Sequence, residues 1–297
     1  MSDRTQFFFK TVRLFTLTLF SATVAFLLIL GFTKLWQLFG CYSVISEIWL
    51  DYIKLITQTV IIFGLPVFIC KKFDSDISLQ INSMPEIRNT MLFLLVFLTW
   101  ILCIIPVNSI WQLNNSISFG ENFASLEHVL RNIQTQNNEY IKYLINYGDT
   151  VNFTVLILVA GVLPSFFEEL FFRGYLQQLC YRFTNKKWLS IIVTAVIFSF
   201  FHFEFYAFLP RVLLGVLLGV AFYAARSLWL PMAIHFVNNF ATLIFNRLSA
   251  NEGISEFEVF GTNGYEWIIS GVLFVIVIYI LFAVVRKFGK IQLHTSA

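Results

Sequence analysis

Four groups of residues in this sequence combine types and spacings that can do chemistry. Glu168-Glu169-Leu170-Phe171-Phe172-Arg173 sets two carboxylates side by side, with a guanidinium four residues after the second. Phe198-Ser199-Phe200-Phe201-His202 ends an apolar run on an imidazole. His235-Phe236-Val237-Asn238-Asn239 places an imidazole and an amide four residues apart. Pro164 and Pro231 each stand four residues ahead of a polar group, Glu168 and His235. On a helix, residues four apart share a face, so Glu169 can pair with Arg173, and His235 and Asn239 can look in one direction. Glu168 is turned by about 100° from Glu169 and is left for another task. A proline inside a helix removes a backbone bond and kinks it.

A carboxylate, two imidazoles and an amide suit hydrolysis. A desolvated glutamate can serve as general base toward water. One histidine can orient that water, and the other, with the asparagine, can donate hydrogen bonds to an oxyanion. The same residues also read as a zinc site, with Glu168, His202 and His235 as ligands and water in the open position. The sequence has no HExxH, no serine in a nucleophile elbow and no suitably placed cysteine. Each group also has a structural reading: a Glu/Arg staple between helices, a core histidine, a bridging asparagine, ordinary membrane prolines.

The elements that must position these residues follow from composition. Of 297 residues, 58% are hydrophobic and only 12% charged, and 36 are Phe. A soluble domain is nearer a quarter charged, so the surplus apolar surface is expected to face lipid. The net charge of +3 is small and the basic residues are scattered at segment ends, which sets nucleic-acid binding aside. Cys41, Cys70, Cys103 and Cys180 form no CxxC pair, and no disulfide framework or thiolate metal site is expected. The basic, then apolar, N-terminus lacks a small-residue cleavage site and reads as a retained first helix.

A membrane span needs about 20 mostly apolar residues. Eight stretches qualify, at roughly 14–32, 49–70, 90–110, 151–180, 188–205, 211–226, 229–247 and 267–285. The expected fold is all-α: a polytopic integral membrane bundle of about eight transmembrane helices. The organisation expected is three N-terminal helices and a polar loop over 1–150, a catalytic core over 151–247, and a loop, final helix and basic tail over 248–297. The polar 111–150 stretch could hold a short surface helix. With both termini inside, most of the 20 Lys and Arg, from Arg4 to Lys290, fall on the cytoplasmic side; only Lys34, Arg131, Lys142, Arg211 and Arg247 fall outside. Glu252, Glu256, Glu258 and Glu266 gather outside as well. This layout predicts a multi-pass protein of the plasma (inner) membrane with cytoplasmic termini.

Depth then brings the polar groups together. Glu168 is 14 residues from Arg182, His202 is 15 from Lys187 and Asn239 is 13 from Arg226, so all three lie about 20–22 Å from the inner surface. His235 is 9 residues from Arg226, about 14 Å, one turn nearer the cytoplasm. Ionisable groups at such depth are expensive and mark function by default.

EExxxR, FxxxH and HxxxN, each on its own predicted membrane helix, resemble the CPBP (Abi, CAAX-protease-like) family of intramembrane proteases, relatives of the Ras-converting CAAX endopeptidases and of bacteriocin-immunity proteins. The resemblance covers about 150–247. It implies that Glu168 activates water with His202 and that His235 and Asn239 stabilise the oxyanion, with Glu169, Arg173 and Phe198 in support. It implies an endopeptidase working without a metal, with zinc as the older alternative. The substrate it implies is a peptide or protein near the bilayer, either prenylated or a bacterial peptide precursor. Two competing functions are a non-catalytic immunity or scaffolding protein of the same fold, and a proton-coupled transporter, for which inverted repeats would speak; none is visible.

Overall fold

With no water in the bilayer core, a spanning chain must satisfy its backbone polar groups internally, and runs of Leu, Phe, Ile and Val do so as helices. The computed structural model of the chain describes residues 3–39, 44–74, 77, 87–146, 150–252 and 264–288. Cys41, Glu256, Glu258 and Lys290, used in reading the sequence, lie outside the described residues. Among the described residues there is no strand. The helices are α1 (Asp3–Leu38), α2 (Val44–Thr59), α3 (Leu65–Phe73), α4 (Ile87–Asn115), α5 (Ala124–Asn146), α6 (Thr150–Leu156), α7 (Leu163–Phe171), α8 (Gln178–Thr184), α9 (Lys187–Phe200), α10 (Phe208–Ala225), α11 (Trp229–Glu252) and α12 (Gly264–Phe288). Three π-helical segments join neighbours without a break: Val60–Gly64 between α2 and α3, Ile157–Val162 between α6 and α7, and Phe172–Gln177 between α7 and α8.

Six helical stretches among the described residues are long and apolar enough to cross a membrane: Thr5–Leu38, Glu47–Phe73, Leu92–Asn115, Thr150–Thr184, Phe205–Ala225 and Trp267–Val284. The protein is therefore an all-helical, multi-pass membrane protein. The two remaining stretches read from the sequence are the ones that carry FxxxH and HxxxN. α9 is apolar but has 14 residues, about 21 Å against a hydrocarbon core of about 30 Å. α11 has 24 residues, but Asn238, Asn239, Asn246 and Arg247 make it too polar.

The chain divides into two compact units. The first comprises Met1–Leu79, Leu144–Ser190 and His235–Leu243. In it α1 packs on α2, α3 and α8, and α7 packs on α2 and α3. Phe63 meets the rings of Phe171 and Phe172, each at 5.6 Å. Gly64 gives Phe167 its place, since a Cβ there would lie 2.9 Å from that ring. Asp74, buried at the end of α3, accepts from Arg13 and from the Tyr175 hydroxyl, with the Lys10 Nζ at 3.5 Å. A buried carboxylate is tolerated when paired in this way.

The second unit comprises Gln80–Tyr143, Ile191–Ile234 and Ile244–Ala297. Here α4, α10 and α12 pack on one another. The polar stretch between the third and fourth spans forms a helix of 23 residues, α5, longer than the short surface helix expected. Its entry is latched by Glu127, whose Oε2 accepts from the Phe119 N–H at 3.0 Å and the Ser118 hydroxyl at 2.9 Å, while Oε1 accepts from Arg131 Nε at 2.9 Å. These donors, the Phe119 N–H first, hold the Glu127 carboxyl below its ordinary range. A depressed carboxyl stabilises the fold above its unfolded value and loses that contribution as pH falls through the folded one. Glu127→Gln is accordingly expected to raise amide exchange at Phe119 and in the first turns of α5 at neutral pH, as read by hydrogen–deuterium exchange. Wild-type protein should show the same loosening only in acid, below the usual carboxylate range.

Candidate active site

Thr150–Thr184 is one long helical path interrupted twice by wider turns, and Glu168 and Glu169 stand between the two interruptions. Such π segments recur at functional sites because they re-aim the residues beside them. Pro164 stands where the first π segment passes into α7 and brings no N–H to bond the preceding turn. The Ser165 hydroxyl donates to the Gly161 carbonyl at 2.6 Å and ties the start of α7 to the π segment. Pro231 behaves differently from the kink expected: it is the third residue of α11, inside the first turn, where a missing N–H costs no intrahelical bond.

α7 and the His235–Leu243 part of α11 belong to the same unit, and they meet closely. At Gly161 a Cβ would stand 3.4 Å from the Phe236 ring, so the glycine leaves room for that ring beside His235. Arg173 Nη1 donates to Glu169 Oε1 at 2.7 Å, with both side chains at 0% exposure. His235 Nδ1 lies 2.9 Å from the same oxygen. His235 Nε2 lies 4.0 Å from Glu168 Oε2. All four groups are buried.

This geometry corrects two expectations. The count of residues from Arg226 sets His235 a turn nearer the cytoplasm than Glu168, whereas the two are within 4.0 Å. The straight-helix count takes no account of the π segment Phe172–Gln177 between Glu168 and Arg182, nor of the reach of the two side chains toward each other. Glu169 is also more than the partner of Arg173. Its Oε1 holds His235 as well, and with Nδ1–H donating to that carboxylate the neutral imidazole carries its lone pair on Nε2, the nitrogen nearer Glu168. Nothing in the sequence ties Glu169 to His235, because a separation of 66 positions says nothing about which helices pack together.

Asn239 lies one turn beyond His235 on α11 and is partly exposed. Phe198 is buried in α9. His202 is not inside a helix as expected: α9 ends at Phe200, and His202 occupies the turn that follows, its N–H bonding Ser199 O at 3.2 Å. Its Nδ1 sits 2.9 Å from Phe198 O, so Nδ1 is the donor and Nε2 the lone-pair nitrogen of the neutral ring. The Phe198 ring packs edge-on at 4.9 Å. His202 belongs to the second unit; Glu168, Glu169, Arg173, His235 and Asn239 belong to the first.

Among the described residues, no group of three or more His, Cys, Asp or Glu side chains is arranged to hold a metal ion. The first unit offers Glu168 and His235 as a pair, one short of the three protein ligands of catalytic zinc. Within the first unit the described donors do not make up a zinc set, and no step is built on one.

Two buried carboxylates and one guanidinium, with a histidine held by one carboxylate and 4.0 Å from the other, form one buried polar cluster. Residues 150–241 match the model of the Rce1-like family, described as type II CAAX prenyl endopeptidase Rce1-like. That segment carries every motif residue named above, from Glu168 to Asn239, and agrees with the family resemblance carried by the sequence. The comparisons with curated proteins and with solved structures returned no match. The Rce1-like segment covers α6 to α10 with the π segments on either side of α7, and the first half of α11.

Proposed function

We propose that this chain is an intramembrane endopeptidase that hydrolyses a peptide bond at or in the membrane with a water activated by Glu168. The observation that carries this reading is the buried set of Glu168, Glu169, Arg173 and His235, lying within the Rce1-like segment. Buried carboxylates are costly, and two of them share this site with the guanidinium of Arg173. The Glu168 carboxylate takes the proton of the attacking water and delivers it to the amine nitrogen as the tetrahedral intermediate collapses and the C–N bond breaks. His202 is the second group on that water, a role that rests on its motif alone. His235 and Asn239 donate to the oxyanion of the tetrahedral intermediate, and Glu169 fixes the ring of His235 for that purpose. In that role His235 has hydrogen on both ring nitrogens, Nδ1–H on Glu169 and Nε2–H on the oxyanion. The mechanism is metal-free. The substrate is a membrane-proximal peptide of the CAAX type, prenylated near its C-terminus, or a peptide precursor of comparable hydrophobicity. Both termini face the cytoplasm.

The test is cleavage by purified protein in liposomes, followed by mass spectrometry of an internally quenched peptide carrying a farnesylated cysteine near its C-terminus. Cleavage by wild type and none by Glu168→Ala supports the reading, and equal cleavage by both ends it. Metal removal makes a separate prediction. Prolonged dialysis against a strong chelator is expected to leave the rate unchanged, whereas loss of activity restored by added zinc would overturn the metal-free mechanism.

A further inference from the structure

A histidine that works on water needs a fixed direction, yet His202 stands in a turn rather than on a helix. The turn is an unfavourable one. Phe203 adopts φ 54, a left-handed conformation that a phenylalanine rarely takes, and its side chain is exposed. Contacts elsewhere in the second unit must therefore hold the connection between α9 and α10.

They come largely from the polar stretch between the third and fourth spans. The buried Asn114, at the end of α4, donates from Nδ2 to Phe205 O at 2.9 Å and accepts at Oδ1 from Leu209 N at 3.2 Å. Asn137 of α5 donates to Glu204 Oε1 at 2.8 Å. Arg211 of α10 donates to Glu204 Oε2 at 2.6 Å. The Arg131 guanidinium of α5 covers the Tyr206 ring at 4.4 Å. The Ser199 hydroxyl donates to Phe208 O at 2.7 Å and closes the turn from the α9 side. Glu204, two residues after His202, thus has one oxygen held by α5 and the other by α10.

We infer that Asn114, Asn137, Glu204 and Arg211 are positioning residues for His202, and that the α4 end and α5 serve as a splint for its turn. This rests on the proteolytic reading, in which His202 acts on the attacking water. A single side chain that satisfies both a carbonyl and an N–H of one short segment fixes that segment's path as well as stabilising it, and small misplacements of a catalytic group cost rate rather than affinity.

The experiment compares Asn114→Ala, Asn137→Ala, Glu204→Ala and Glu204→Gln with wild type in liposomes, using the farnesylated quenched peptide. Each alanine variant is expected to lower kcat about tenfold while KM stays within about twofold. Amide exchange should rise over residues 201–209 and not over 163–173. Glu204→Gln keeps an acceptor for Asn137 and should retain more activity than Glu204→Ala. Glu139→Gln, on the exposed face of α5, should match wild type. Unchanged kcat in Asn114→Ala and Asn137→Ala overturns the inference, as does a loss accompanied by faster exchange throughout the second unit, which would mean general destabilisation. A wild type that cannot cleave the peptide ends the proteolytic reading and the splint's catalytic meaning with it. An active wild type with fully active alanine variants ends the splint alone.

Discussion

Glu168→Gln is expected to slow peptide hydrolysis by about 10²–10⁴-fold, the range typical of losing a general base. The substitution keeps the size of the side chain and an oxygen that can accept hydrogen bonds, but an amide cannot take a proton from water. Glu168 is buried, and the His235 Nε2 is 4.0 Å away, a separation that a single water can bridge. The fold should not suffer, because the change removes a charge from an apolar interior where it carries a cost. Thermal unfolding in detergent should therefore occur at or above the wild-type temperature. That combination, lost rate with retained stability, separates a catalytic carboxylate from a structural one. Glu168→Gln that unfolds early, or that cleaves at the wild-type rate, would sink the assignment.

Arg173→Ala is expected to act through stability instead, costing about 3–5 kcal/mol, because it removes the guanidinium that pairs with a fully buried carboxylate. Both members of the pair are fully buried, and Nη1 reaches Oε1 at 2.7 Å. Removing both charges together should cost much less. Arg173→Met combined with Glu169→Gln is expected to recover most of the loss, since the desolvation of two ions disappears along with their attraction. Denaturation in mixed detergent micelles, run as a double-mutant cycle, measures this directly. A loss of under about 1 kcal/mol in Arg173→Ala would place the pair among ion pairs of little consequence. The double variant should remain impaired in cleavage even where it recovers stability, since the Glu169 carboxylate also holds His235 Nδ1 at 2.9 Å.

What the amino-acid sequence determined by itself is the material of the site and its broad setting. The apolar runs are long enough that only helices crossing lipid can satisfy them, and the all-helical structure follows. The four-residue spacing of Glu169 and Arg173 is a property of one helical path and needs no partner element, so it was legible. Local spacing also singled out Glu168, His202, His235 and Asn239. Tertiary structure alone decided three further things. His235 is held by Glu169 because α11 passes close to α7 over Gly161, a packing choice that no local pattern encodes. His235 stands near Glu168 because their two helices bring these side chains together, which a residue count along each helix cannot report. His202 leaves its helix although nothing between Phe198 and Phe203 breaks one, because Asn114 and Asn137, 91 and 67 residues from the groups they bind, hold the following segment in another conformation. Helix propensity is a matter of tenths of a kcal/mol per residue, and a set of part-buried hydrogen bonds from distant elements outweighs it.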